Sequence, residues 1–204
     1  MVFRIRASLF LLLFSTVFYS CSAAAGGRKY AIGGPDSSYA LVLVSPVQRY
    51  PGGEVRSGRI SGEGFVALDG DAVPCTGDVL LRRDGTPVKL FLSGPVPLAF
   101  VPGSGHRVLF AGETCFDASG MVKAGILAEP AALVPVDMRQ TVLFPKGTEI
   151  WFDGCGMVES FRLNIPPERI SGESGLNLLK RGFRYWFENG TVSADAQCVT
   201  PFPK

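Results

Sequence analysis

From Tyr39 onward the chain alternates apolar and polar residues in short runs that are separated by glycine-containing turns. Glu149-Ile-Trp-Phe152 enters one such turn and Val158-Glu-Ser-Phe-Arg-Leu163 leaves it, with apolar side chains at alternate positions. Alternation with a period of two over four to eight residues is typical of half-buried β-strands. The pattern therefore predicts an all-β fold.

Five segments share one arrangement: an apolar or aromatic pair, a turn with glycine, and a valine that opens the next alternating run. They are Gln48–Val55, Leu81–Val88, Cys115–Val122, Trp151–Val158 and Tyr185–Val192. Their closing valines lie 33, 34, 36 and 34 residues apart. Regular spacing in this range is typical of repeat architectures. We therefore expect tandem antiparallel β-hairpin units.

The turn residues indicate how each hairpin closes. Gly52-Gly53, Asp84-Gly85 and Asn189-Gly190 predict tight turns, because such turns need positive φ angles. Asp117–Gly120 and Asp153–Gly156 predict slightly longer turns with glycine in the left-handed position.

A further apolar run precedes most of the hairpins, so we expect about three short strands in each unit. These runs are Tyr39–Val44, Arg107–Phe110, Gln140–Phe144 and Leu176–Leu179. The predicted fold of residues 39–204 is an extended meander or solenoid-like sheet of about five units. A β-sandwich or barrel is the alternative arrangement.

The N-terminus predicts export. Arg4 and Arg6 precede a charge-free stretch whose centre is Leu9–Phe14. A basic start followed by a short apolar run is typical of a secretory signal peptide, here residues 1–20. The run is shorter than the roughly 20 residues that a membrane-spanning helix needs.

Phe18-Tyr-Ser-Cys21 resembles the lipobox of bacterial lipoproteins in its spirochaete-like form. The resemblance implies that Cys21 carries diacylglycerol and a further acyl chain such as palmitate. Residues 21–38 would then be a lipidated N-terminus and a flexible tether. Ala23-Ala-Ala25 also fits ordinary signal peptidase, so a soluble secreted product stays open as the alternative.

The charge balance argues against nucleic-acid binding. Removal of residues 1–20 takes away Arg4 and Arg6 and leaves 18 basic and 18 acidic residues. Nucleic-acid binding normally requires a basic excess. The expected attachment to a membrane therefore depends on the lipid on Cys21 and not on electrostatics.

Few residues suggest catalysis or metal binding, and we expect no catalytic residue, no metal site and no cofactor. His106 is the single histidine and lies in a glycine-rich loop, so a histidine-based zinc motif is ruled out. Asp69, Asp71 and Asp78 lack the spacing of known calcium loops and are interpreted as a solvated turn. Four further cysteines are compatible with two disulfides or with free thiols: Cys75, Cys115, Cys155 and Cys198.

Aromatic residues are concentrated in the last two units. Trp151, Tyr185 and Trp186 are the candidate binding residues, for a glycan or a partner protein. Adjacent residues in a strand point to opposite faces, so one set of these aromatics packs inward and the other faces outward.

The segment Gly147–Val158 is similar to hairpin repeats of uncharacterised bacterial envelope lipoproteins, and more loosely to MORN-type and YwqK-like repeats. The similarity covers about residues 40–200. It implies a string of antiparallel hairpins and gives no catalytic residues.

The expected protein is a lipoprotein of the bacterial cell envelope, at the periplasmic face or the cell surface, that acts as a non-enzymatic binding or structural module. The alternative is a secreted or periplasmic hydrolase whose site is formed only by the fold. Polar groups converging in one pocket would favour the enzyme, and an open sheet with an exposed aromatic face would favour binding.

Overall fold

The computed structural model describes residues 29–33, 39–68, 71–101, 103–136, 138–164, 181–188 and 191–194. These residues form thirteen β-strands and no helix. The predicted all-β class is therefore confirmed. Within the same ranges, no helical segment has the length and hydrophobicity to cross a bilayer.

Eleven strands form one antiparallel sheet, and two form a small second sheet. The strands are β1 Lys29–Gly33, β2 Tyr39–Arg49, β3 Val55–Leu68, β4 Asp71–Leu81, β5 Pro87–Ala99, β6 Arg107–Phe116, β7 Val122–Leu127, β8 Ala131–Leu133, β9 Val142–Phe144, β10 Glu149–Phe152, β11 Val158–Arg162, β12 Arg184–Glu188 and β13 Thr191–Ala194. The large sheet has the order β1-β2-β3-β4-β5-β6-β7-β10-β11-β12-β13. It is an open meander of hairpins, as the repeats predicted, with β1 and β13 at the edges of the described sheet.

Four hairpins close with the same turn. In each, the N–H of the first residue donates to the carbonyl four residues on, and the N–H of a glycine donates back to the first residue's carbonyl. The first residues are Tyr50, Arg82, Asp117 and Asp153, and the glycines, all with positive φ, are Gly53, Gly85, Gly120 and Gly156.

The prediction of tight turns at Gly52-Gly53 and Asp84-Gly85 is therefore wrong. One extra residue enters the second strand of each hairpin, as the register breaks at Gln48/Arg49 and Leu80/Leu81 show. The turns themselves are closed by the Tyr50–Glu54 and Arg82–Thr86 hydrogen bonds, so each has three residues between its paired ends, and the last of the three is a glycine with positive φ, Gly53 or Gly85. Asn189-Gly190 lies outside the described residues.

In two units the expected third strand is the first half of a long strand of the large sheet. Tyr39–Val44 belongs to β2 and Arg107–Phe110 belongs to β6, whereas Gln140–Phe144 contributes β9 to the small sheet. Leu176–Leu179 lies outside the described residues.

Glycine-marked bulges divide the long strands. Gly62, Gly77 and Gly112, all with positive φ, lie at register breaks in β3, β4 and β6, and bulges bend the strands that carry them. Across the core, the ring of Phe100, just after β5, stacks on the ring of Phe152 at the end of β10, with centroids 4.7 Å apart.

The core lies on one face of the large sheet, which we call the core face. Its fully buried side chains alternate along the strands and include Leu43, Val73, Leu90, Phe110, Ile150 and Phe161. The β8–β9 sheet covers part of this face, with Leu133 and Phe144 buried. The opposite face of the large sheet is the outer face.

The sheet begins earlier than the sequence suggested. β1, Lys29–Gly33, pairs with β2 inside the range predicted as a tether. The alternating Lys-Tyr-Ala-Ile sequence suits such an edge strand.

Candidate functional site

The outer face of β10, β11 and β12 carries both tryptophans of the chain. Trp151 is paired with Ser160, and Ser160 with Trp186, so these three residues form one row across the sheet. Ile150 and Phe152 flank Trp151 and are buried in the core. Strand alternation therefore holds the two indoles on the outer face, one on each side of Ser160.

Arg184 lies between the two indoles. Its guanidinium carbon is 4.0 Å from the Trp151 ring centroid and 4.2 Å from that of Trp186. Its Nε and Nη2 donate hydrogen bonds of 3.0 and 2.8 Å to Ser160 Oγ, which is fully buried below. The two distances from the Arg184 guanidinium carbon to the ring centroids are within the range of cation–π attraction.

Arg162 and Glu149 occupy the next row. They are register partners, and Arg162 Nη1 is 3.3 Å from Glu149 Oε2. The Arg162 guanidinium carbon is also 5.6 Å from the Trp151 ring centroid. Burial raises the pKa of Glu149, with a further contribution from Glu113, and the two arginines only partly oppose this rise.

We call Trp151, Arg162, Arg184 and Trp186 the Trp/Arg patch, with Ser160 as its floor. The Ser160 hydroxyl accepts hydrogen bonds from a guanidinium, and a guanidinium cannot remove a proton from it. The arrangement is therefore suited to stacking and charge recognition rather than to nucleophilic chemistry.

Tyr185 lies on the other face. It is 5% exposed and its ring stacks on Phe161 at 5.4 Å. Together with Phe187 it extends the core towards the last strand. Of the three candidate aromatics, the structure thus brings Trp151 and Trp186 together on the outer face and places Tyr185 in the core.

The described cysteines differ in their exposure: Cys75 is buried, Cys115 is partly buried and Cys155 is exposed. Cys21 and Cys198 lie outside the described residues, and the three described cysteines are free. Burial, with Glu63 nearby, raises the pKa of Cys75 to about 11, and burial raises that of Cys115 as well. A raised pKa leaves little nucleophilic thiolate. Cys155 is exposed in the β10–β11 turn.

The remaining polar candidates stay apart. His106 is exposed in the loop before β6. Asp71 forms an ion pair with Arg107, Asp78 is exposed on β4, and Asp69 lies outside the described residues. In the part of the chain that the structure describes, no three metal-ligating side chains come together.

A small cleft lies where the far end of β3 meets the β6–β7 turn. Its lining includes Leu68, Asp71, Arg107 and Met121, and its volume is about 10 Å³. That volume holds about one water molecule, so the cleft does not accommodate a substrate.

Sequence reasoning missed Arg162, Arg184 and Ser160. The sequence does contain a feature that could have indicated them, namely polar or charged residues two positions from one another or from a tryptophan. These pairs are Glu149 with Trp151, Ser160 with Arg162, and Arg184 with Trp186. Such spacing places each pair on one strand face. Their meeting depends on strand register, which local spacing does not specify.

Comparisons with known proteins found no matching family model, no matching curated protein and no matching solved structure.

Proposed function

We propose that this chain is a lipid-anchored protein of the bacterial cell envelope that acts, without catalysis, as a binding module. The observation that carries the proposal is the Trp/Arg patch on an open sheet face. Two indoles and two guanidinium groups lie there together, partly exposed. Tryptophan and arginine are among the residue types enriched at binding hot spots.

The position of the patch suits a surface role. It occupies β10–β12, near one end of the strand order, whereas β1 is at the other end. Lys29, the first residue of β1, is eight positions after Cys21. A chain of that length reaches at most about 28 Å. A lipid on Cys21 would hold the β1 edge near a membrane and leave the patch accessible at the opposite end of the strand order.

Membrane fractionation tests the anchor. The Cys21→Ala variant is expected to move from the membrane fraction to the soluble fraction. Cys155→Ala is the matched control, since this exposed thiol is far from the N-terminus in sequence, and it should stay with the membrane. Unchanged partitioning of the Cys21→Ala variant would contradict lipid anchoring.

Crosslinking in native envelopes tests the binding role. Trp151→Ala and Trp186→Ala are expected to lose the crosslinked product that the wild-type chain forms. The control is Phe91→Ala, because Phe91 is an outer-face aromatic, 47% exposed, that lies on β5. Far-UV circular dichroism verifies that each variant folds. Equal crosslinking by the folded Trp variants and the wild type would show that the Trp/Arg patch is not the binding surface.

A further inference from the structure

A second group of aromatic and cationic side chains lies at the β2–β3 and β4–β5 turns. The Tyr50 hydroxyl donates a 3.0 Å hydrogen bond to the carbonyl of Leu81, which holds the phenol ring against the neighbouring hairpin. The guanidinium carbon of Arg56 is 6.0 Å from the centroid of this ring, and that of Arg83 is 5.5 Å from it. One ring thus brings together two guanidinium groups from different hairpins.

The charges of Arg56 and Arg83 have no local counter-charge. Both residues are exposed, and among the residues that the structure describes neither side chain forms an ion pair or a hydrogen bond. The carboxylates of the same two turns are engaged elsewhere. Asp84 accepts hydrogen bonds from the N–H and the hydroxyl of Thr86, and the carboxylate of Glu54 packs on the backbone of its own turn. Two exposed cations therefore lie beside one ring without a carboxylate partner.

The start of β1 points towards the end of the sheet that carries these turns. β1 runs antiparallel to β2, with its first residue, Lys29, opposite Val44. β2 continues from Val44 to the Tyr50 turn, so the first residue of β1 is the one nearer to that turn. Lys29 is eight positions after Cys21. A lipid on Cys21 would therefore bring the two guanidinium groups towards the headgroups of the membrane.

The three side chains match a phospholipid surface chemically. A guanidinium fork donates two parallel hydrogen bonds to phosphate oxygens. A tyrosine ring is amphipathic, and tyrosine is enriched at membrane–water interfaces. An acidic protein segment would also pair with two arginines, but the direction of β1 favours a membrane at this end of the sheet.

We propose that Arg56 and Arg83 bind headgroup phosphates of the membrane that holds the lipid anchor. Residues 21–204 have no overall basic excess, so this contact is local. The lipid attaches the chain, and the two arginines orient the sheet on the membrane surface. The inference rests on the lipid-anchoring part of the proposed function and is independent of the Trp/Arg patch.

Nuclear magnetic resonance of the arginine side chains tests the site, with the full chain held in micelles of an uncharged sugar detergent. The probes are phosphatidylglycerol, inorganic phosphate and a hexaglutamate peptide, at equal ionic strength with chloride as the reference anion. We expect phosphatidylglycerol to shift the Nε–Hε signals of Arg56 and Arg83 saturably. Inorganic phosphate should require at least a tenfold higher concentration, because it is not concentrated at the micelle surface as the lipid is.

Two variants make the test specific. Arg83→Gln is expected to weaken the response of the Arg56 signal to phosphatidylglycerol at least tenfold. Arg59→Gln removes another exposed arginine of β3 and should respond like the wild type. A native circular dichroism spectrum and an unchanged unfolding midpoint show that Arg83→Gln has kept its fold. Equal responses of the two variants would overturn the site.

The other outcomes identify a different ligand or separate the inference from the lipid anchor. A response to inorganic phosphate alone, or to hexaglutamate alone, would overturn the headgroup proposal in favour of a free phosphate or an acidic segment. If no probe shifts the arginine signals while Cys21→Ala still leaves the membrane fraction, the inference fails and the lipid anchor stands. If Cys21→Ala stays with the membrane, the anchor fails, and a shift of both arginine signals by phosphatidylglycerol would still support headgroup binding.

Discussion

Arg82 Nη2 donates a 2.9 Å hydrogen bond to the carbonyl oxygen of Phe116, 34 positions further along the chain. Arg82 begins the β4–β5 turn and Phe116 ends β6, so the bond joins one hairpin to the next. Tyr50 makes a similar link one hairpin earlier, where its hydroxyl donates to the carbonyl of Leu81 at 3.0 Å. Side chains from equivalent turn positions thus connect neighbouring repeats.

Replacement of Arg82 by alanine should destabilise the sheet. Arg82 Nη1 also donates to the carbonyl of Pro87 at 2.6 Å and, at 3.4 Å, to Thr86 Oγ1, so the substitution removes three hydrogen bonds from a charged donor. We expect a loss of about 2 kcal/mol in the free energy of unfolding, measured by urea titration. Lys123→Ala, which removes an exposed cation, is the control and should change stability by less than about 0.5 kcal/mol. Equal effects of the two substitutions would contradict the linking role.

Gly53 and Gly156 form a matched pair for testing how the turns pack. Both occupy the same turn position, with φ of 96° and 82°. A Cβ on Gly53 meets open space, whereas one on Gly156 would clash with the Val101 side chain and lie 2.9 Å from the carbonyl oxygen of Phe100.

Alanine at Gly53 should therefore cost only the strain of a left-handed residue, about 1 kcal/mol. Alanine at Gly156 should cost about 1–3 kcal/mol more, because Val101 and the backbone of Phe100 must shift. Thermal unfolding of both variants measures the difference. Equal losses would mean that the β10–β11 turn does not pack against Val101.

Asp117 should make stability depend on pH. Burial alone would raise its pKa, but hydrogen bonds from Ser119 and Met121, with Arg82 nearby, outweigh burial and hold the pKa of Asp117 below its usual value. Because the folded-state pKa is the lower one, the ionised carboxylate stabilises the fold above the unfolded-state pKa of about 3.9. This contribution is lost as the pH falls through the folded-state pKa.

The wild type should thus exceed Asp117→Asn in unfolding free energy by about 1 kcal/mol at neutral pH. The difference should shrink as the pH is lowered below about 4. Urea titrations of both proteins across this range provide the measurement, with Asp78→Asn as the control for loss of an exposed carboxylate. A difference that stays constant with pH would refute the assignment.

Glu149 should affect the free energy of unfolding in the opposite sense to Asp117. Its raised pKa, caused mainly by burial, means that ionisation of this carboxyl disfavours the folded state. Glu149→Gln is therefore expected to match the wild type at neutral pH or to exceed it by up to about 1 kcal/mol. The gap should close below the unfolded-state pKa of about 4.3, where both side chains are neutral. A clear loss of stability at neutral pH would show that the Arg162 pair dominates.

Local sequence patterns determine much of the architecture. Alternation around Trp151 and Phe161 specifies strands and their faces, because side chains in a strand point to opposite sides. Gly120 and Gly156 mark turns, because they adopt backbone conformations that other residues avoid. The even spacing of Val55, Val88 and Val122 predicts the repeated hairpins. The alternation and the turn glycines act within a few residues, and the valine spacing can be read directly along the chain, so the sequence alone was sufficient to determine them.

The site depended on contacts between strands that are distant in sequence. The bulge at Trp151/Phe152 sets the register that places Ser160 opposite Trp151, and Arg184 reaches the same point from β12. A register shift of one residue would send every side chain of a strand to the other face. Strand pairing and packing of the whole sheet fix that register, so only the tertiary structure decided that two tryptophans and two arginines meet.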